Sequence, residues 1–166
     1  MKIFFYDKIE KHTSKDTDFL INKALCGYFG KEVSAKIIRT SGGKPYLKEY
    51  PSLHVGVTHT DSVVLIALNE KPFGIDCETT GRTAKNMSAI SEKYFSDNER
   101  AYIFAKNLDE ESITTRFLEI WVKKEAYVKY TGEGLKGMSK CDVTSLYGFK
   151  LIENTKNLLI YIYEEN

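Results

Sequence analysis

Cysteine and proline are scarce in this 166-residue chain, with three of each. Cys26, Cys77 and Cys141 are odd in number, far apart and in no Cys-x-x-Cys pattern. That spacing argues against a disulfide framework and for free thiols in a reducing compartment. Apolar runs are short as well: nothing approaches the roughly 20 residues that a membrane-spanning helix needs. The run at residues 3–6 is too brief for a secretory leader and is soon followed by charge, so the cytoplasm is the expected location. Neither sign of charge is in excess. Lysine and arginine total 24 against 23 aspartates and glutamates, a formal net charge of +1. No global electrostatic demand for nucleic acid or an anionic membrane follows from that balance. Internal repeats and low-complexity tracts are missing too.

What remains is globular material rich in rings. Hydrophobic residues make up 42% and aromatics 13%, enough to bury a core and to exclude wholesale disorder. Residues 3–6 read as an opening strand. Asp16 or Thr17 caps a helix through Phe19, Leu20, Ala24 and Leu25 that stops near Gly27 or Gly30. Residues 35–39 read as a strand and 41–45 as a turn, where paired glycines precede Pro45. Leu53, Val55 and Val57 alternate with other residues in a half-buried strand ending at Thr58 and His59. A tight turn at Thr60 and Asp61 leads to the apolar strand 63–68 as a hairpin partner. The pattern is helical over 84–107, broken near Phe95 and restarted by Ser96 or Asp97, and helical again over 112–130. Residues 143–150 and 158–163 read as a terminal hairpin. The sum is an α+β protein with largely antiparallel sheets, and the best candidate boundary is at Lys71 and Pro72.

Two segments carry chemistry. Phe73-Gly74-Ile75-Asp76-Cys77-Glu78 is a short strand on which Asp76 and Glu78 share one face while Ile75 and Cys77 share the other. Downstream, Trp121, Glu125 and Lys129 recur every four residues along a helix. Three carboxylates and a lysine converge if that helix packs beside the strand end. Hard oxygen ligands for a divalent cation and a point charge for phosphate oxygens are what a metal-assisted reaction at phosphate requires. The plainer alternatives are solvated acids on an edge strand and an i, i+4 helix pair worth only a few tenths of a kcal/mol.

Gly74-Ile75-Asp76 followed by Trp121, Lys124, Glu125, Ala126 and Lys129 resembles the paired signature of the 4′-phosphopantetheinyl transferases. Gly43-Lys44-Pro45 and then Thr58-His59-Thr60 lie upstream in the order of the longer, Sfp-type branch. The resemblance implies two pseudo-symmetric α+β lobes with mainly antiparallel sheets. Residues 1–72 would form an N-terminal lobe with coenzyme A-binding loops, and 73–166 a C-terminal lobe with the metal and pyrophosphate site. It implies transfer of the 4′-phosphopantetheine arm of coenzyme A to a serine of an apo acyl or peptidyl carrier protein, releasing adenosine 3′,5′-bisphosphate. The reaction would be Mg2+-dependent, with Mn2+ as an alternative ion, and would serve fatty-acid, polyketide or nonribosomal peptide biosynthesis. A monomer is expected, with no nucleic-acid or membrane partner.

The same resemblance assigns roles by position. Asp76, Glu78 and Glu125 would hold the metal, and Lys129 would neutralise pyrophosphate oxygens. Thr58 and His59 would contact phosphate, and Lys44 and Pro45 would lie against the nucleotide. Lys124 would touch phosphate or carrier, or else be solvated. Glu99, in the setting Phe95-Ser96-Asp97-Asn98-Glu99, would be the base that activates the attacking serine, or simply an acid in the first turn of a helix. The chain departs from the branch between Tyr6 and Asp18, which is shorter and omits basic residues that surround the 3′-phosphate. Lys15, Lys23 and Arg39 are the candidates to replace them. Val122 also stands where a small polar residue is usual.

Two other readings compete. A module that binds coenzyme A or a carrier without transfer fits the shortened N-terminal half. A metal-dependent nuclease of the Asp…Glu-x-Lys type fits poorly, because Thr80 and Tyr127 stand where its lysine belongs.

Overall fold

The structure is a computed structural model that describes residues 1–8, 13–81, 86–152 and 157–165. Among the described residues the elements run in the order β1 (Lys2–Asp7), α1 (Ser14–Phe29), β2 (Ile37–Arg39), β3 (Pro45–Leu47), β4 (His54–His59), β5 (Val63–Asn69), β6 (Gly74–Thr79), α2 (Met87–Tyr94), α3 (Asp97–Ile103), α4 (Glu110–Thr131), a 3₁₀ turn (Gly134–Lys140), β7 (Phe149–Ile152) and β8 (Leu158–Tyr163). The α+β class and the antiparallel pairing follow the expectation: one sheet has the order β1-β5-β4-β3-β2, the other β6-β8-β7.

β5 explains the layering. Its run Val63-Val64-Leu65-Ile66-Ala67-Leu68 is buried throughout, so both of its faces must be covered. Val64, Ile66 and Leu68 face α1, where Ile21, Ala24 and Leu25 complete one core. Val63, Leu65 and Ala67 face the second sheet, meeting Ile75, Cys77, Ile160 and Ile162. Beyond that sheet, α2, α3 and α4 form a third core in which Phe95, Phe117 and Ile120 pack beside Leu159 and Phe149. The molecule is thus stacked as helix, sheet, sheet and helices. Among the described residues no helix is long and apolar enough to cross a membrane.

Several boundaries differ from the sequence expectation for local reasons. α1 starts at Ser14, because Thr13 caps it: its hydroxyl accepts from the Asp16 amide while the Asp16 carboxylate accepts from the Thr13 amide. Pro45 opens β3 instead of closing a turn, a place where its missing N–H costs nothing to the ladder. α4 begins at Glu110, capped by the Asp109 carboxylate on the Ser112 amide. The terminal hairpin is shorter, β7 starting only at Phe149. Of the helical pattern expected from 84, residues 84 and 85 lie outside the described residues.

On the helical side of the second sheet, Glu119 is gripped by Lys123 Nζ at 2.5 Å and the Tyr102 hydroxyl at 2.7 Å. Burial alone would push its carboxyl up, but these donors outweigh it and hold Glu119 below the ordinary value. A depressed folded pKa means stability that is full above the unfolded value, roughly 4.3, and is lost as pH falls through the folded one. Melting temperature measured from about pH 6 to 3 should therefore fall less steeply for Glu119→Gln than for the native chain.

Candidate active site

β6 and α4 are brought together by a glycine. A Cβ at Gly74 would lie 1.8 Å from the Ala126 carbonyl oxygen and 2.6 Å from the Tyr130 amide nitrogen, so the helix backbone rests directly on the strand. Gly56 does the same for β4, where a Cβ would meet Ile75 and Phe73 side chains at 2.6 Å. The two close approaches pull β4, β6 and α4 around one point.

That point is Asp76. Its side chain is nearly buried, and its Oδ1 accepts from Lys129 Nζ at 2.6 Å and from the Thr58 hydroxyl at 2.8 Å. The Thr58 oxygen in turn accepts from the Cys77 amide at 3.3 Å. Strand, neighbouring strand and helix each supply one member of this network. Glu125 sits half-buried nearby; burial pushes its carboxyl up, Asp76 and Glu78 add to that, and Lys129 opposes it. Cys77 is buried between Asp76 and Glu78 in the chain, and burial lifts its thiol to about 11.

A cavity of about 420 Å³ opens beside the network, lined by Lys44, Pro45, Gly56, Glu125, Lys129 and Leu135 among others. Val55, Gly56 and Val57 of β4, which pairs with β3 only at Tyr46 and His54, also line it.

The expected site residues do not all meet. Asp76, Lys129 and Thr58 are in contact, and Glu78 and Glu125 lie within electrostatic reach of them. Thr58 is buried and turned toward Asp76, orienting it from inside the fold. Pro45 lines the cavity. Lys44 lines it too, with its ammonium drawn 2.9 Å from the Tyr130 carbonyl at the C-terminal end of α4, where a cation is favoured. Burial lowers its pKa. His59 is exposed at the end of β4, with Lys8 Nζ 3.4 Å from its Nδ1.

Two expectations need correction. Lys124 is neither solvated nor in the cavity: it is fully buried, with Nζ at 2.9 and 2.7 Å from the Glu99 oxygens and 2.7 Å from the Cys141 carbonyl. Glu99 is equally buried, and its two oxygens also accept from the Ser96 and Val143 amides. A carboxylate that accepts four hydrogen bonds from three donors and has no exposed surface is a structural tie between α3, α4 and the segment before β7, not a base that meets an incoming hydroxyl. Trp121 also departs from expectation: it stacks on Phe117 with ring centroids 6.4 Å apart and lies tilted against Phe95 at 6.5 Å, inside the helical layer. Eight residues of helix turn through about 80° beyond two full turns, enough to part it from Lys129. Val122 is fully buried, which suits its apolar side chain.

The carboxylates suit a hard divalent cation by chemistry, and their mutual repulsion at Glu125 is what such an ion would relieve. Among the described residues, however, no three His, Cys, Asp or Glu side chains are already gathered into a metal cage. The ammonium of Lys129 holds the Asp76 oxygen in this arrangement. Sequence reasoning passed over Lys8 and Tyr130, because only strand order and helix docking bring them to the site.

The family model for the 4′-phosphopantetheinyl transferase superfamily matches residues 72–157, just over half of the chain. The chain belongs to that superfamily. A 4′-phosphopantetheinyl transferase of Bacillus subtilis is 30% identical over 132 residues, and the transferase Sfp of Bacillus subtilis strain 168 is 31% identical over 133. Each of these alignments covers 79% of this chain and 57% of the relative. The transferase HetI of a Nostoc species is 28% identical over 129 residues, covering 75% of this chain and 53% of that protein. The chain therefore spans a little over half the length of these curated phosphopantetheinyl transferases. The matched region of the superfamily runs from the Gly74-Ile75-Asp76 strand through the whole of α4, the two elements that Gly74 docks together.

Proposed function

We propose that this chain transfers the 4′-phosphopantetheine arm of coenzyme A to the serine of an apo acyl or peptidyl carrier protein. The observation that carries the reading is the Lys129–Asp76 contact at the wall of a cavity large enough for part of a nucleotide. In the transfer, the serine oxygen bonds to the β-phosphorus and the bond to the bridging pyrophosphate oxygen breaks. Adenosine 3′,5′-bisphosphate leaves and the serine proton is lost to the medium. Lys129 draws the pyrophosphate oxygens toward the strand end, and Thr58 fixes the direction of the Asp76 carboxylate. Asp76, Glu78 and Glu125 are the residues that would hold Mg2+, or Mn2+ in its place. A bound ion would supply charge stabilisation at the phosphate oxygens. Two lobes, 1–72 and 73–166, would enclose the ligand; the strands of the first sheet lie within the former and those of the second within the latter. We place the protein in the cytoplasm as a monomer.

The test is intact-mass spectrometry of a panel of apo carrier proteins incubated with this protein, coenzyme A and magnesium. A mass gain of one phosphopantetheine arm that a chelator abolishes is the expected result. Coenzyme A binding without any gain would instead favour a binding module. Asp76→Asn should keep the Thr58 hydrogen bond and the fold yet lower turnover by roughly 10²–10³, the usual effect of losing one electrostatic contributor. Near-native turnover in that variant would remove Asp76 from the mechanism.

A further inference from the structure

We infer that Tyr130, fixed by Glu165, is a positioning residue for coenzyme A binding: it clamps Lys44, and with it the turn before β3, against the end of α4. This rests on the coenzyme A reading above. Two parts of the fold meet at that end of the cavity. The turn between β2 and β3 contributes Gly42, Gly43 and Lys44, and α4 with its cap contributes Val128, Lys129 and Gly132. They touch in two places. A Cβ at Gly42 would lie 2.8 Å from the Gly132 carbonyl oxygen, so turn and helix cap approach closely. The Lys44 ammonium donates to the Tyr130 carbonyl at 2.9 Å and lies 5.9 Å from the centre of the Tyr130 ring. That carbonyl is one of the last four of the helix, which have no partner within it. The ring face adds a second attraction for the cation.

Tyr130 is held in turn by groups outside the cavity. Its hydroxyl donates to Glu165 Oε2 at 2.6 Å, and its ring stands edge-on to Tyr163 with centroids 5.1 Å apart. Tyr163 is itself buried, against Tyr127 and Phe149. The hydrogen bond to Glu165, with burial behind it, pushes the Tyr130 hydroxyl up to about 12, so it stays a donor at neutral pH. A ring fixed at its edge and at its hydroxyl gives Lys44 a set resting place. A wall in place before the ligand arrives leaves less conformational freedom to lose on binding. Neither Tyr130 nor Glu165 lines the cavity, so both act through Lys44. Glu165 is exposed, and replacing an exposed side chain costs a fold little, which separates its effect on binding from stability.

Calorimetric titration with coenzyme A, alongside thermal melting, tests the clamp. Glu165→Ala and Tyr130→Phe should each weaken coenzyme A by about three- to tenfold, the worth of one hydrogen bond, at an unchanged melting temperature. The double variant should be no weaker than either, because both changes break the same bond. Glu165→Gln keeps an acceptor oxygen and should stay within about twofold of the native chain. With Lys44→Met already in place, Glu165→Ala should change the affinity by less than about twofold, since the side chain it acts through is gone. Native affinity in Glu165→Ala, a loss that adds in full to that of Lys44→Met, or a melting temperature that falls with affinity would overturn the clamp. Binding with these shifts but without transfer would overturn the proposed function and leave the clamp standing. A native chain that binds no coenzyme A would overturn both.

Discussion

Lys124→Met should cost about 3–5 kcal/mol of folding free energy, the usual effect of leaving one member of a buried ion pair without its partner. Glu99 would keep its hydrogen bonds from the Ser96 and Val143 amides, but as an uncompensated charge with no exposed surface. Urea unfolding of Lys124→Met, Glu99→Gln and the double variant measures the effect. The double variant should be less unstable than the two single losses added together, because it removes both charges at once. A loss under about 1 kcal/mol in Lys124→Met would mean that the pair is not the tie described here. The same set separates structure from chemistry. If Glu99 is structural, residual transfer by Glu99→Gln follows the folded fraction across temperature and recovers when the protein is stabilised. A general base would leave a well-folded enzyme that is slow at every temperature.

Gly74→Ala should disrupt the junction of β6 and α4 more severely than ordinary overpacking, which costs about 1–3 kcal/mol. The added methyl would collide with backbone, at 1.8 Å from the Ala126 carbonyl oxygen, and no rotamer change relieves that. Either the helix lifts from the strand or the strand shifts. Both movements separate Lys129 from Asp76, which now stand 2.6 Å apart. Circular dichroism melting and coenzyme A titration should therefore fail together in this variant. Gly56→Ala is the companion, since its obstacles are the Phe73 and Ile75 side chains, which have some freedom to move. It should be the milder of the two. A Gly74→Ala protein that melts like the native chain would show that the close approach is not needed for the fold.

Legibility varied along the chain for identifiable reasons. The unbroken apolar run of β5 announced a strand and hairpin partner of β4, and strand alternation placed Asp76 with Glu78, opposite Ile75 and Cys77. The boundary at Phe95 and Ser96 was readable because Ser96 and Glu99 form a reciprocal cap, a local pattern of four residues. That same pattern gave Glu99 a role in the helix start but did not disclose Lys124, since the two are 25 residues apart and meet only when α3 packs on α4. β3 escaped the sequence, with only Pro45 placed in a turn, because three residues beginning with proline carry little strand signal of their own; pairing with β2 makes it a strand.

Local order was determined by the sequence itself: period-two and helical patterns, caps, and the glycines and acids of the two signature segments act between near neighbours. Membership in the superfamily follows from those segments as well. The tertiary structure alone decided which side chains share a site. It sent Lys124 into the interior, drew Lys44 to the end of α4, and set Lys129 on Asp76 and Lys8 beside His59. The physical reason is that the partner of a long charged side chain depends on how strands and helices stack. Stacking here is governed by the apolar faces of β5 and by two missing side chains, at Gly56 and Gly74, rather than by the charges themselves.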